Sequence, residues 1–181
     1  MILFWTRRDT HAEAAGKYAS GQDFCRLFES EMDRLYLLAL LLTGDSRLAE
    51  QSFAHALEIC LKSNRVFNGW EERWAVFNVI KSAIQIVRPT QSLGAPSSLD
   101  NRVQQKDSEF QAVVRAVRQL PSFERFVYVM SVLEKYSDCE CSAFLHSAVS
   151  EIQPARERAI RQLGSELASL VPQHWRASAT A

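Results

Sequence analysis

LPSFERFVYVMSVLEKYSDCECSAFLHSAVSEIQPARERAIRQL, residues 120–163 of this 181-residue chain, has a pattern that predicts three successive helices. Pro121 suits the first turn of the first helix, where its missing N–H costs nothing. Asp138 is a suitable N-cap for a short second helix over residues 139–145. In the first helix, apolar side chains recur at the i, i+3, i+4, i+7 spacing of one face, at Phe123, Phe126, Val127, Met130 and Leu133.

The third predicted helix has an apolar stripe and a basic outer face. A tight break at residues 146–148 separates it from the short helix before it. A short helix, a turn of a few residues and a longer basic helix make a helix-turn-helix, whose second helix lies in the major groove of DNA. The periodic positions of this helix are Val149, Ile152, Arg156, Ala159, Ile160 and Leu163.

A second helical unit is predicted over residues 22–88. Gly44 is a typical residue just past a helix end, and either Asp45 or Ser46 is a good cap for the helix that follows. Pro89 disfavours helix in the residue before it, so the unit stops there. Its three helices are expected over residues 23–43, 46–61 and 70–87.

The two helical units are separated by residues 89–106, which are rich in Ser, Gln, Gly and Pro and therefore have the composition of a linker. Residues 107–170 form the C-terminal unit, and residues 171–181 are expected to be a disordered tail. The predicted fold is therefore all-α, with two small helical domains on a flexible linker and a helix-turn-helix in the second. Such a design suits a protein that touches two sites on a partner complex.

The charge balance and the motif content narrow the function classes. Twenty-one basic residues match 21 acidic ones, whereas a dedicated nucleic-acid binder usually has a basic excess. The sequence contains no phosphate-cradling glycine loop, no G-x-S-x-G elbow and no H-E-x-x-H motif. We therefore predict that the protein is not an enzyme and needs no cofactor.

Four cysteines show no disulfide framework or paired metal-binding spacing, and no secretory signal is visible, so reduced thiols in a cytoplasm are expected. Cys139 and Cys141 form a single C-x-C, which we interpret as structural thiols and not as a metal site. The apolar run LYLLALLL, residues 35–42, is far shorter than the ~20 residues needed to span a bilayer. No membrane segment is expected.

Residues 120–163 resemble region 4, the C-terminal DNA-binding domain of bacterial group 4 (extracytoplasmic-function) RNA polymerase sigma factors. The matching residues are Leu120, Pro121, Glu124 and Arg125 in the first helix, Tyr136, Ser137, Glu140 and Leu145 in the second, and Val149, Arg158, Ala159 and Leu163 in the third. The resemblance implies that DNA contacts come from Ser150, Gln153, Arg156, Arg158 and Arg161.

The first unit resembles sigma region 2, which in the family binds the polymerase clamp and opens the −10 promoter element. The matching phrase consists of Leu35, Tyr36, Ala39, Leu42, Thr43, Gly44, Asp45, Ala49 and Glu50. The resemblance implies a polymerase-binding face on the helix that follows, made by Arg47, Glu50, Gln51, Ala54 and His55.

Strand opening needs aromatic faces on which unpaired bases stack, and cations for the backbone. The first unit offers both in one neighbourhood, in Arg65, Phe67, Trp70, Arg73 and Lys81. The alternative is that Phe67, Trp70 and Trp74 fill the core. For Trp74 the core is the favoured interpretation, whereas for Phe67 the two are nearly balanced.

Departures from the family pattern fall in the turn and the recognition helix. His146 replaces the turn glycine, whose positive φ costs other residues energy. The usual threonine, lysine and arginine positions hold Glu151, Gln153 and Ala155, and a carboxylate at the first of these repels phosphates. Pro154 is tolerated in a first helical turn, which moves the expected helix start toward Gln153.

Two functions follow from these observations. The leading hypothesis is a cytoplasmic sigma-like transcription initiation factor that binds core RNA polymerase and promoter DNA, with an anti-sigma protein as a further partner. The competing hypothesis is a divergent sigma-like protein that has lost promoter recognition and acts as a protein–protein interaction or regulatory module. The neutral charge and the altered recognition helix favour the second. Binding through phosphates weakens steeply with salt, whereas an apolar interface barely responds.

Overall fold

The computed structural model describes residues 17–63, 65–89 and 109–170, and these residues are mostly helical. The all-α class is thereby confirmed for the described part of the chain, whose one pairing of extended segments is an isolated antiparallel bridge between Tyr18 and Phe67. Residues 90–106 of the predicted linker, and the predicted tail, lie outside the described residues. The helices are α1 (Gly21–Ser30), α2 (Met32–Thr43), α3 (Ser46–Leu61), α4 (Glu71–Val87), α5 (Glu109–Gln119), α6 (Ser122–Tyr128), α7 (Asp138–Leu145) and α8 (Val149–Leu170), and a π-helical segment (Val129–Leu133) extends α6.

Helices α1 and α2 replace the single helix predicted over residues 23–43. The chain leaves helical geometry at Glu31, with φ −106° and ψ 17°, so that prediction was wrong. The sequence around Glu31 contains neither glycine nor proline, so no local signal predicts this break. No described helix has the length and apolar character needed to cross a membrane.

The turn between α2 and α3 follows the local signals of the sequence. Gly44 adopts the left-handed region at φ 76°, and its N–H donates to the carbonyl of Leu40 at 2.8 Å. Asp45 is the N-cap of α3, because its Oδ1 accepts a hydrogen bond from the Leu48 N–H at 3.0 Å. Both predictions for this turn are confirmed.

One hydrophobic cluster runs through both groups of helices. It contains buried side chains of α1 to α4 and of α5 to α8, so the two groups are packed against each other. The largest fully buried members include Phe24, Leu35, Leu42 and Ile80 from the first group, and Leu120, Phe126, Met130 and Ile152 from the second.

The Arg125 guanidinium of α6 joins the two groups. It is only 8% exposed, and its Nε and Nη2 donate to the carbonyls of Leu42 and Thr43, both at 3.0 Å. Its Nη1 donates to the carbonyls of Arg118 and Leu120, also at 3.0 Å. Burial lowers the pKa of Arg125 to about 10, with a smaller contribution from Arg118, and the side chain stays charged at neutral pH.

Gly44 completes this contact. Its carbonyl accepts a hydrogen bond from Arg118 Nε at 3.0 Å, so two arginines of the second group bind the carbonyl end of α2. A Cβ at Gly44 would lie 2.8 Å from Arg125 Nη1, so a larger residue would displace the guanidinium from its carbonyl partners. We call this arrangement, Arg118 and Arg125 on the carbonyls of residues 42–44, the arginine latch.

The apolar stripe predicted for residues 123–133 is buried except at its end. Phe123, Phe126, Val127 and Met130 lie in the core, whereas Leu133 is exposed. Leu133 belongs to the π-helical segment, in which the Glu134 N–H donates to the Val129 carbonyl at 3.0 Å. The wider π turn changes the direction of the side chains that follow, which explains the difference.

The caps of α7 also differ from the sequence prediction. Ser137, and not Asp138, is the N-cap, because Ser137 and Glu140 form a reciprocal capping box. Asp138 is the first residue of the helix. His146 ends α7 in the left-handed region, at φ 51° and ψ 42°, the conformation that a turn glycine adopts most easily.

Helix α8 begins at Val149, well before the expected start near Gln153, and Pro154 lies inside it. The Glu151 carboxylate explains the earlier start, because its Oε2 accepts a hydrogen bond from the Ala148 N–H at 2.9 Å and so caps the helix. Two of its predicted periodic apolar positions, Val149 and Ile160, are exposed.

Replacement of Gly44 tests the arginine latch. Gly44→Ala should lower the free energy of unfolding by about 2–4 kcal/mol, since it adds a left-handed backbone cost to a steric conflict with Arg125. Gly69→Ala is the matched control, because Gly69 also has a positive φ (87°) but a Cβ there would meet nothing within 4 Å. The control should cost only about 1–2 kcal/mol in urea unfolding followed by circular dichroism. Equal losses in the two variants would contradict the latch.

Candidate nucleic-acid interface

A groove with aromatic walls opens between the loop of residues 65–70 and helix α4. Its volume is about 460 Å³. The side chains that matter most to its chemistry are Arg65, Phe67, Trp70, Arg73, Trp74 and Phe77. We call this the aromatic groove.

The N-terminal segment of the described chain holds the loop of this groove in place. The Ala19 N–H donates to the Val66 carbonyl at 2.7 Å, and the Asn68 N–H donates to the Lys17 carbonyl at 3.1 Å. The ring of Tyr18 lies against the ring of Phe67, with 5.0 Å between the centroids. Backbone pairing and ring contact together fix the position of the Phe67 side chain.

The aromatic side chains of the loop are exposed. Phe67 is 48% exposed and Trp70 is 60% exposed, so neither fills the core, and the core interpretation of these two residues was wrong. Trp74 is half-buried against the core, as favoured from the sequence, and it also lines the groove. Its indole Nε1 donates to Ser63 Oγ at 3.0 Å, and its ring stacks on Phe77 at 5.4 Å.

Cations lie beside these rings. Arg65 and Arg73 are exposed, and the Arg73 guanidinium lies 6.0 Å from the centre of the Trp70 ring. Lys17 adds a third cation, with its Nζ 5.6 Å from the Phe67 ring centre. Lys81 does not line the aromatic groove; its Nζ lies 6.0 Å from the ring centre of Phe77, farther along α4. Four of the five residues predicted for this site therefore share one groove.

Three residues at or beside this site were not predicted from the sequence, namely Lys17, Tyr18 and Ser63. Lys17 and Tyr18 contact the Phe67 ring through tertiary pairing, for which the sequence carries no local signal. Phe77 also lines the groove and was not predicted there. Its i+3 spacing from Trp74 places both rings on one side of α4, and that spacing is a usable signal.

The residues predicted to bind polymerase lie together on one side of α3. Arg47, Glu50, Gln51, Ala54 and His55 are all exposed. The opposite side of the helix packs into the core through Ala49, Ser52, Ala56 and Cys60. The predicted face is thus available for contact.

The cations of α8 are largely engaged inside the chain. Arg156 forms a bidentate ion pair with Asp138, with Nη1–Oδ1 at 2.6 Å and Nη2–Oδ2 at 3.3 Å. These hydrogen bonds raise the pKa of Arg156. Arg158 donates through Nε to Glu124 at 3.0 Å. Arg161 is exposed and has no ion pair with another described residue.

The remaining residues of the predicted recognition surface are polar and exposed. Ser150 lies in the first turn of α8, and Gln153 Nε2 donates to Glu157 Oε1 at 3.0 Å. This surface therefore combines one unpaired cation with neutral groups, and it is much less basic than the sequence suggests.

The cysteines do not gather into a metal site within residues 17–63, 65–89 and 109–170, where no group of three or more His, Cys, Asp and Glu could hold a metal ion. Cys139 is exposed whereas Cys141 is buried, so the two thiols of the C-x-C lie in different surroundings. Burial raises the pKa of Cys141 to about 11 and that of Cys60 to about 12.

Thiol reactivity at neutral pH should divide the cysteines into two pairs. The exposed thiols of Cys25 and Cys139 should react rapidly with an aromatic disulfide reagent. Cys60 and Cys141 should react only after unfolding in urea, because the thiolate is the reactive form and burial suppresses it. Rapid reaction of all four thiols in the folded protein would contradict this arrangement.

Compared with models of known protein families and with curated proteins, the chain matches none.

Proposed function

We propose that the chain is a sigma-like transcription initiation factor, which binds core RNA polymerase in the cytoplasm and directs it to promoter DNA. The aromatic groove is the observation that carries this proposal. The side chains of Phe67 and Trp70 are about half exposed to solvent, and Arg65 and Arg73 line the same groove. Base stacking on such rings, together with cations for the backbone, is the usual chemistry of single-strand binding.

An unpaired strand suits this groove better than a duplex. In a duplex the bases stack on each other, so their faces are hidden from an aromatic side chain. A base that has left the stack can lie on Trp70 or Phe67 while its phosphates meet the arginines. Strand opening at a promoter produces such bases, in agreement with the resemblance of this unit to sigma region 2.

The other parts of the proposal concern the polymerase and the duplex. The exposed side of α3, which extends from Arg47 in its first turn to His55 in its second half, would contact core polymerase. Helices α7 and α8, joined by the turn at His146, would form the helix-turn-helix, with α8 as the recognition helix. Ser150 and Arg161 are its side chains best placed to meet DNA, because they are exposed and Arg161 is unpaired among the described residues.

A divergent regulatory module is the second candidate, and the ion pairs of α8 favour it. Arg156 and Arg158 are neutralised by Asp138 and Glu124, and the Glu151 carboxylate caps the start of the helix. A protein of this kind would bind polymerase or an anti-sigma protein without selecting a promoter. It would retain the exposed side of α3.

Co-purification with core RNA polymerase separates the two candidates. For a sigma-like factor, the complex should select promoters from a library, and binding should weaken steeply between low and moderate salt because phosphate contacts release counterions. Polymerase binding without promoter selection would favour the regulatory module. Failure to bind polymerase at all would overturn the sigma-like factor and would leave only a module that binds another protein, such as an anti-sigma protein.

Substitutions in the aromatic groove test its part in strand opening. Trp70→Ala should weaken binding to a single-stranded promoter fragment by about 1–3 kcal/mol, roughly 5- to 150-fold, and should reduce permanganate reactivity of the opened promoter. Met32→Ala is the control, since Met32 is also a large exposed apolar side chain but lies outside the groove. Equal behaviour of the two variants would remove the groove from the proposal.

A further inference from the structure

A second groove adjoins the aromatic groove and lies between α4 and α7. Its volume is about 330 Å³. Phe77, Ile84 and Phe144 form its half-buried floor, and Lys81, Gln85 and His146 form its exposed rim. We call this the interhelical groove. Phe77 lines both grooves, so they meet at this ring.

A row of rings connects the two grooves. The Trp74 and Phe77 centroids are 5.4 Å apart with nearly parallel planes, and the Phe77 and Phe144 centroids are 5.2 Å apart. All three rings are partly exposed. The row starts in the first group of helices and ends in the second, where Phe144 also contacts Tyr136 at 5.5 Å. Aromatic surface therefore continues across the junction of the two groups.

The charges along this path have one sign. Arg65, Arg73 and Lys81 line the two grooves, whereas none of the described residues that line them is an aspartate or a glutamate. The whole chain has equal numbers of acidic and basic residues, so this distribution is a local property of the path. A ligand with flat apolar groups and regularly spaced negative charges fits it, and a single-stranded nucleic acid has both.

We infer that a single strand held in the aromatic groove continues past Phe77 into the interhelical groove, so that one strand contacts both groups of helices. Phe144 supplies a stacking surface there, and Lys81 meets the backbone. This inference rests on the proposed function and extends it, because the resemblance assigns the opened strand to the first unit alone.

The arginine latch makes this path continuous. Phe144 belongs to α7 and Phe77 to α4, and the two helices are neighbours only while the two groups are packed together. Arg125 and Arg118 bind the carbonyl end of α2 and so hold the second group in that position. The single-strand path therefore exists only while the two groups of helices are packed together.

The test uses the full chain and fluorescein-labelled oligothymidylates of about four and about ten nucleotides, within the range of known single-strand site sizes. The longer strand should bind about tenfold more tightly than the shorter strand. Phe144→Leu keeps an apolar side chain in the packing but removes the ring face, and it should abolish this gain without changing the affinity for the shorter strand. Retained secondary structure and an unchanged urea midpoint would show that the variant is folded.

Lys81→Gln tests the backbone contact with an exposed residue that carries little structural load. It should weaken binding of the longer strand alone and reduce the slope of log affinity against log salt by about 0.7, the value for one phosphate on a single strand. Arg26→Gln is the matched control, because it removes an exposed cation from α1 outside both grooves.

Three results would overturn the inference, and they are distinguishable. Equal affinity for the two lengths, or a gain that survives both substitutions, would end the path at the aromatic groove and leave the proposed function intact. Loss of polymerase binding in Phe144→Leu with unchanged oligonucleotide affinity would assign the interhelical groove to a protein partner. No binding of either strand would remove the single-strand role of both grooves.

Discussion

The buried guanidinium of Arg125 connects the two groups of helices through hydrogen bonds to carbonyls of both. A charge withdrawn from water costs several kcal/mol unless polar groups replace the lost solvent. Here four carbonyls do so, and two of them belong to the C-terminal end of α2, where the helix dipole favours a cation. Because these acceptors come from both groups of helices, the guanidinium has all four hydrogen-bond partners only when the two groups are packed together. The interhelical groove, which residues of both groups line, exists only in this docked arrangement.

Local chemistry made parts of the fold predictable. The turn at Gly44 and Asp45 could be predicted because a left-handed residue and a side-chain cap leave direct marks in the sequence. The break at Glu31 and the π-helical segment have no such local signal, since neither coincides with a glycine or a proline. The N-cap of α7 lies one residue before the predicted one, because Ser137 and Glu140 form reciprocal hydrogen bonds. Asp138 instead forms an ion pair with Arg156 of a different helix.

The candidate site divides in the same way. Arg65, Phe67, Trp70 and Arg73 are close in sequence, so a composition argument could bring them together. The ion pairs of Arg156 and Arg158 join residues 18 and 34 positions apart, and a single sequence gives no information on such distances. Several residues that carry the sigma resemblance, notably Gly44 and Arg125, contact each other in the interior. These matching residues therefore indicate how the helices pack together more directly than they indicate which DNA the protein binds.

The bridge between Tyr18 and Phe67 has a consequence for folding kinetics and local stability. About fifty residues separate Tyr18 from Phe67, so the chain must close a long loop before the bridge forms. The entropic cost of closing this loop comes before the free energy gained from the new contacts. Among the described residues, the two segments are connected by two backbone hydrogen bonds, by the contact between the rings of Tyr18 and Phe67, and by Lys17, whose Nζ lies over the Phe67 ring. We therefore expect this wall of the aromatic groove to order late and to open first, ahead of the helices beneath it. The amides of this wall should then exchange their hydrogens faster than those of the helices. A single strand bound in the aromatic groove should slow that exchange.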